Sequence, residues 1–171
     1  MKETKEHILR TSLLLFLQKS YKDVTMREIV EKTGLSKGAF YHYFTSKEEL
    51  FKEITSMFLS MGAVNYSSFD KDSLKIFYKQ YIGFLSNSLL TMNKMGTASS
   101  EKSFNLNFFL ILFEAVSRYP EFLKTELEFH RKDVEAWKSI IAVARKKGEI
   151  KSSSSDEEIA NLFLYCTDGV F

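Results

Sequence analysis

The stretch that decides the fold runs from Thr25 to Leu50, TMREIVEKTGLSKGAFYHYFTSKEEL. It reads as two short helices around a tight turn, with a third helix starting at its end. Thr25 stands three residues before Glu28, the spacing of a capping box that satisfies free N–H groups at a helix start. Ile29 and Val30 face inward. Thr33-Gly34 ends this helix, and Gly34 is able to take the left-handed cap conformation. Leu35 plugs the turn. Ser36 caps a second helix, Lys37-Gly38-Ala39-Phe40-Tyr41-His42-Tyr43. Ser46 and Glu49 form another box, opening a helix to about Met61 that buries Leu50, Phe51, Ile54 and Phe58.

Two short helices joined by a glycine-containing turn meet the physical requirement for presenting the second helix to the major groove of DNA. Gly38 and Ala39 let the backbone come close to the duplex. Lys37, Tyr41 and His42 surround them with hydrogen-bonding groups at different heights. Thr25 and Ser36 place hydroxyls at helix starts, where phosphates bind well, and Lys47 begins the next helix.

The runs Thr25-Met26-Arg27-Glu28-Ile29-Val30, Thr33-Gly34-Leu35-Ser36-Lys37-Gly38-Ala39-Phe40-Tyr41-His42-Tyr43-Phe44 and Ser46-Lys47-Glu48-Glu49-Leu50 closely resemble the TetR family of bacterial repressors. The shared pattern is a Thr cap, a Gly-hydrophobic-Ser turn, a Gly in the recognition helix, a run of aromatics and a Ser-Lys-Glu closing step. It covers roughly the first 55 residues. Val30 departs from it, standing where a small Ala is common. The resemblance implies an all-α fold. An N-terminal three-helix helix-turn-helix DNA-binding domain would occupy residues 1–55, and a C-terminal helical domain for ligand binding and dimerisation residues 56–171.

Carried over residue by residue, the resemblance makes Thr25, Ser36, Tyr41, His42 and Lys47 phosphate contacts. Lys37, Gly38 and Ala39 become base-edge contacts. Arg27 either joins them or pairs with a nearby Glu. Ile29, Leu35, Phe40, Phe44 and Leu50 become core. The family pattern further implies a homodimer on double-stranded DNA and release of a palindromic operator on ligand binding. It also implies one more helix after the one ending at Phe171, paired with it in a four-helix dimer interface. The last helix alone would bury less apolar area.

Outward from this segment, residues 2–19 repeat apolar side chains at helical spacing: Ile8, Leu9, Leu13, Phe16 and Leu17. Residues 62–70 read as a linker. A helix from about Asp72 carries Leu74, Phe77, Tyr81 and Leu85 and fades near Asn93. Gly96 to Ser100 reads as a polar loop, and Phe104 to Ser117 as a strongly apolar helix. Pro120 suits the first turn of a long helix that Gly148 stops, with Arg145-Lys146-Lys147 set against its negative end. Ser155 and Glu158 box the start of the last helix. No useful alternating strand pattern and no internal repeat occur.

The C-terminal half is rich in aromatics. Phe77, Tyr81, Phe109, Phe113 and Trp137 are candidates to line a cavity for a small hydrophobic ligand, and each reads equally as plain core. Asn105, Asn107, Glu114, Arg118, His130 and Arg131 are polar candidates to orient it. Cys166, the single cysteine, reads as a thiol packed within an apolar helix.

Composition bounds the alternatives. Residues 1–55 hold ten Lys/Arg and eight Asp/Glu, whereas residues 56–171 hold fourteen of each. The small positive excess therefore lies where phosphate contact is expected. No apolar run is long enough to span a membrane, and one cysteine forms no internal disulfide, which together point to the cytoplasm. His7, His42 and His130 lack metal-ligand spacing, and no Gly-rich phosphate loop occurs, so neither metal nor cofactor is expected. The leading reading is a ligand-released repressor. A DNA-binding regulator controlled by a protein partner is the second, and a helical enzyme the third and weakest.

Overall fold

The computed structural model describes residues 2–96 and 107–168. Among them every α or β element is helical: α1 Lys2–Gln18, α2 Met26–Thr33, α3 Lys37–Tyr41, α4 Lys47–Gly62, α5 Leu74–Gly96, α6 Asn107–Arg118, α7 Pro120–Lys146 and α8 Asp156–Asp168. One 3-10 turn, Tyr66–Ser68, lies between α4 and α5, where the sequence reads as plain linker. The all-α architecture with an N-terminal helix-turn-helix is thus present. Helix α5 runs on to Gly96, past the expected fade near Asn93 and into the first residue of the expected loop Gly96 to Ser100; the rest of that loop, the helix start at Phe104, the candidate Asn105 and the stop at Gly169 to Phe171 lie outside the described residues. So does the side chain of Asn107.

Local chemistry sets the helix ends. The Thr25 hydroxyl accepts from the Glu28 N–H at 3.2 Å, and Gly34 closes α2 in the left-handed region at φ 67°. Glu28 does not complete the box. Its carboxylate turns to Lys19 at 2.5 Å instead. The box at α4 is displaced by one residue: the Glu49 N–H donates to Ser46 Oγ, but the Glu49 carboxylate accepts from Thr45 N–H and Thr45 O–H at 2.9 and 2.8 Å. Only Ser155 and Glu158 bond reciprocally, at 2.7 and 3.2 Å. At the end of α7, Gly148 N–H donates to Arg145 O and Glu149 N–H to Ala144 O, a Schellman closure with Gly148 at φ 76°. Arg145 is drawn off the helix end. Its guanidinium holds Asp156 and the carbonyls of Ser152 and Ser154, fixing the connector before α8.

The chain divides into two compact units. The first comprises Met1–Met61 and Leu89–Leu123, the second Gly62–Ser88 and Lys124–Phe171. The core of the first gathers Ile8, Leu13 and Phe16 of α1, Ile29 of α2, Phe40 and Phe44, Leu50, Phe51, Ile54 and Phe58 of α4, and Phe108 and Ile111 of α6. Phe16, Tyr21 and Phe51 meet ring to ring, with centroids 4.7–5.8 Å apart. Within this unit, His7 Nε2 donates to the Thr33 carbonyl at 3.0 Å, tying α1 to the last turn of α2.

The second unit packs around Trp137, which is fully buried among Phe77, Tyr81, Ile140, Ile141 and Leu164. Phe163 stacks on the indole at 4.8 Å, and Phe77 and Tyr81 approach it edge-on at 5.0 and 5.2 Å. Cys166 is exposed, contrary to its reading as a packed thiol, because Leu164 and Thr167 take the inward positions of α8.

Two glycines test the backbone account. A Cβ at Gly34 or at Gly38 would meet nothing within 4 Å, so conformation alone decides the outcome. Gly34→Ala forces a positive φ on a residue with a Cβ and is expected to lower stability by about 1–2 kcal/mol. Gly38→Ala, within regular helix, is expected to raise it by up to about 1 kcal/mol. Urea unfolding of both variants checks the opposite signs.

Candidate nucleic-acid interface

Helix α3 has five residues, far too few to be stable alone. It is held from beneath. Phe40 and Phe44 are both fully buried, and Leu35 packs half-buried against the same core. Each Phe contributes about 2 kcal/mol of apolar burial. Ser36 caps the start, its Oγ accepting from Ala39 N–H at 3.3 Å.

Anchoring one side leaves the other to solvent. Ser36, Lys37, Gly38, Ala39, Tyr41 and His42 are all exposed, Tyr41 at 43%. The Tyr41 ring lies edge-on against Phe40, and His42 edge-on against Tyr43. Lys37 makes no ion pair among the described residues. Thr25 is exposed at the start of α2. The hydroxyl oxygens of Thr25 and Ser36 act as acceptors within their caps, which leaves each O–H free to donate outward.

Two expected contacts sit differently. Arg27 pairs with Glu31 at 3.0 Å one turn along α2, which realises the Glu-pairing reading. Its side chain is 86% exposed, so the pair is weak and reversible. Lys47 is half-buried. Its ammonium donates to the carbonyls of Tyr21 and Val24 at 2.9 and 2.7 Å and lies 4.4 Å from the Tyr21 ring centroid. It therefore pins the start of α4 to the α1–α2 connector, and one N–H remains for another acceptor.

Sequence reading misses Tyr21, whose isolated position in a loop gives no signal. The Tyr21 hydroxyl donates to Glu48 at 2.9 Å, and the Arg118 guanidinium covers its ring at 4.0 Å. Burial, reinforced by Glu48, pushes the Tyr21 phenol well above its ordinary range, so it remains a neutral donor. Nearby, Tyr119 O–H donates to the Glu48 carbonyl at 3.3 Å, and Lys52 pairs with Glu121 at 2.5 Å. This cluster holds α4 firmly beneath the exposed face.

Residues 8–54 match the model of the bacterial regulatory proteins, tetR family. That segment, the helix-turn-helix with the helices on either side of it, is similar to the TetR family. It is 38% identical over 72 residues to the HTH-type transcriptional regulator YerO of Bacillus subtilis, a stretch that spans 42% of this chain and 25% of YerO. It is 40% identical over 52 residues to the HTH-type transcriptional regulator AcrR of Shigella flexneri, spanning 30% of this chain and 24% of AcrR. The matches to these curated relatives thus span about a quarter of their length. Salmonella enterica GusR superposes with a TM-score of 0.54 at 21% identity, over 98% of this chain and 81% of GusR, a likeness of fold. YerO and AcrR are both named as transcriptional regulators.

The expected ligand residues are divided between the two units. Phe77, Tyr81 and Trp137 belong to the buried ring cluster of the second unit. Phe109 and Phe113 belong to the first unit, on α6, and are 42% and 71% exposed. Their i, i+4 spacing turns both to the outer side of α6, while Phe108, Ile111 and Ala115 take its inner side. Among the polar candidates, Glu114 and Arg118 pair with each other. His130 stacks on Tyr165 with centroids 6.2 Å apart. Among the described residues no His, Cys, Asp or Glu cluster could hold a metal, and no helix is long and apolar enough to cross a membrane.

Two carboxylates give this region a pH dependence. The Thr45 N–H, then the Thr45 hydroxyl, hold the Glu49 carboxyl below its ordinary range. The Glu48 carboxyl is lowered by its own backbone N–H and then by the Tyr21 hydroxyl. A carboxyl whose folded value is depressed stabilises fully above the ordinary range and loses that contribution as pH falls through the folded value. Glu49→Gln is therefore expected to unfold at lower urea than the parent at about pH 7, with the gap closing towards about pH 3. Paired urea titrations across that span check it.

Proposed function

We propose that the chain is a DNA-binding transcriptional regulator, a repressor that leaves a palindromic operator when a small hydrophobic ligand binds. The observation that carries the reading is the exposed outer side of α3, presented by two fully buried phenylalanines. Residues 1–55 read DNA in the cytoplasm, and residues 56–171 regulate and dimerise. Lys37, Gly38 and Ala39 approach base edges. Thr25, Ser36, Tyr41, His42 and Lys47 meet phosphates, and Arg27 joins when it leaves Glu31. A homodimer sets two copies of α3 about 34 Å or a multiple apart, to match a two-fold operator.

The ligand reading rests on the second unit. Asn161 Oδ1 is buried without a hydrogen-bond partner among the described residues, whereas the Tyr66 hydroxyl is buried within reach of Asp133 and Trp137. Buried polar atoms left unpaired are costly, and a ligand carrying complementary groups would satisfy them. Phe77, Tyr81 and Trp137 supply the apolar wall. A ligand that binds more tightly to the protein conformation with the wrong spacing of the two α3 copies then shifts the population away from the DNA-bound form.

Selection of duplexes from a random pool is expected to return two-fold symmetric winners. Lys47→Ala is expected to weaken specific and random duplexes alike and to lower the salt slope by about 1. Lys37→Ala is expected to cost about 1–3 kcal/mol on the selected site and to relax its sequence preference. Winners without symmetry, or unchanged salt titrations for both variants, overturn the reading. Thermal melts against a metabolite panel test the inducer. Absence of any ligand-dependent shift favours control by a protein partner.

A further inference from the structure

The first unit contains a cleft of about 450 Å³ that the DNA-binding reading does not use. It lies where the C-terminal end of α1 and the following connector meet α4 and α6. Its floor is aromatic: Phe16, Tyr21 and Phe51 are at most 8% exposed and already touch ring to ring. Its wall comes from α6, where Leu110 and Phe113 stand 63% and 71% exposed. None of these residues belongs to the ring cluster around Trp137.

The charge state of the lining selects the occupant. Two ionic side chains border the cleft, and both are already neutralised. Lys19 pairs with Glu28 at 2.5 Å, and Glu114 pairs with Arg118 at 2.7 Å. A charged ligand would have to break one of these pairs or lie desolvated without a counter-ion. An uncharged one meets no such cost. Ring faces and edges on the floor favour a flat aromatic body. Gln18 and Ser20 at the rim offer an amide and a hydroxyl to one polar group. The volume is near the lower end of ligand sites, which run from about 300 to 1,000 Å³.

We propose that this cleft is a binding site for an uncharged, flat aromatic molecule of two or three rings. The occupant rests against Phe16 and Phe51, beside the Tyr21 ring that Arg118 covers, and shields Leu110 and Phe113. The site stands independently of the ligand proposed for the second unit.

The probes are N-phenyl-1-naphthylamine, uncharged and fluorescent in apolar surroundings, and 1-anilinonaphthalene-8-sulfonate, the same skeleton bearing an anion. Each is titrated into the full chain and followed by fluorescence. The amine is expected to saturate at one site per chain, and the sulfonate to bind at least about tenfold more weakly. Leu110→Trp fills the cleft from an exposed position and is expected to weaken the amine about tenfold. Phe113→Ser removes part of the wall and is expected to weaken it about threefold. Leu162→Ser, at an exposed apolar position in the second unit, is expected to change nothing. Helical circular dichroism and melting of each variant confirm folding. Equal binding of the two probes, amine binding retained in a folded Leu110→Trp, or loss in Leu162→Ser overturns the proposal.

Discussion

Burial of Phe40 and Phe44 is the constraint on which the N-terminal structure depends. A five-residue helix carries fewer internal hydrogen bonds than its ordering cost requires, so it persists only if neighbours hold it. The two rings supply that hold from one side. Because every inward position of the segment is apolar and taken, the remaining positions face solvent by geometry. Exposure of Lys37, Gly38, Ala39, Tyr41 and His42 follows from packing beneath them.

That packing is itself tied down. Lys47 clamps the start of α4 to two carbonyls of the α1–α2 connector, and Tyr21 in that connector reaches Glu48 on α4. Arg118 at the end of α6 closes over the same ring. Polar bonds of this kind add little net stability one by one, but they fix geometry, because each is satisfied in one arrangement only. The exposed side of the candidate interface is thus positioned by contacts made behind it.

Much of this was legible in the sequence, and the misses have a common cause. Thr25, Ser36, Gly34, Gly148 and the Ser155–Glu158 box act within a few residues, and local spacing predicts them well. Glu28 and Glu49 also sit at box spacing, yet their carboxylates go to Lys19 and Thr45, partners that spacing within the box does not reveal. The isolated Tyr21 and the inward turn of Lys47 depend on contacts 23 to 27 residues away in sequence. The sequence reads the α6 segment as strongly apolar without saying which of its sides is buried. In the structure Phe109, Leu110 and Phe113 lie outside and Phe108, Ile111 and Ala115 inside, because hydrophobic content alone does not say which faces find partners.

The contrast between Arg27 and Lys37 shows how charge is apportioned on the candidate interface. Both lie on exposed helix surface, and the sequence already offers Arg27 a nearby Glu as an alternative partner. Arg27 has Glu31 one turn away and can reach it, so part of its charge is neutralised before any duplex arrives. Lys37 has Tyr41 at the same spacing, which offers no anion. A phosphate or base edge would therefore compete with Glu31 for Arg27 but meet no rival at Lys37. Binding that begins at Lys37 needs no rearrangement, whereas recruitment of Arg27 requires the surface pair to open, at a cost of at most about 1 kcal/mol. The two cations are thus ordered by their neighbours, with Lys37 available in the free protein and Arg27 held in reserve.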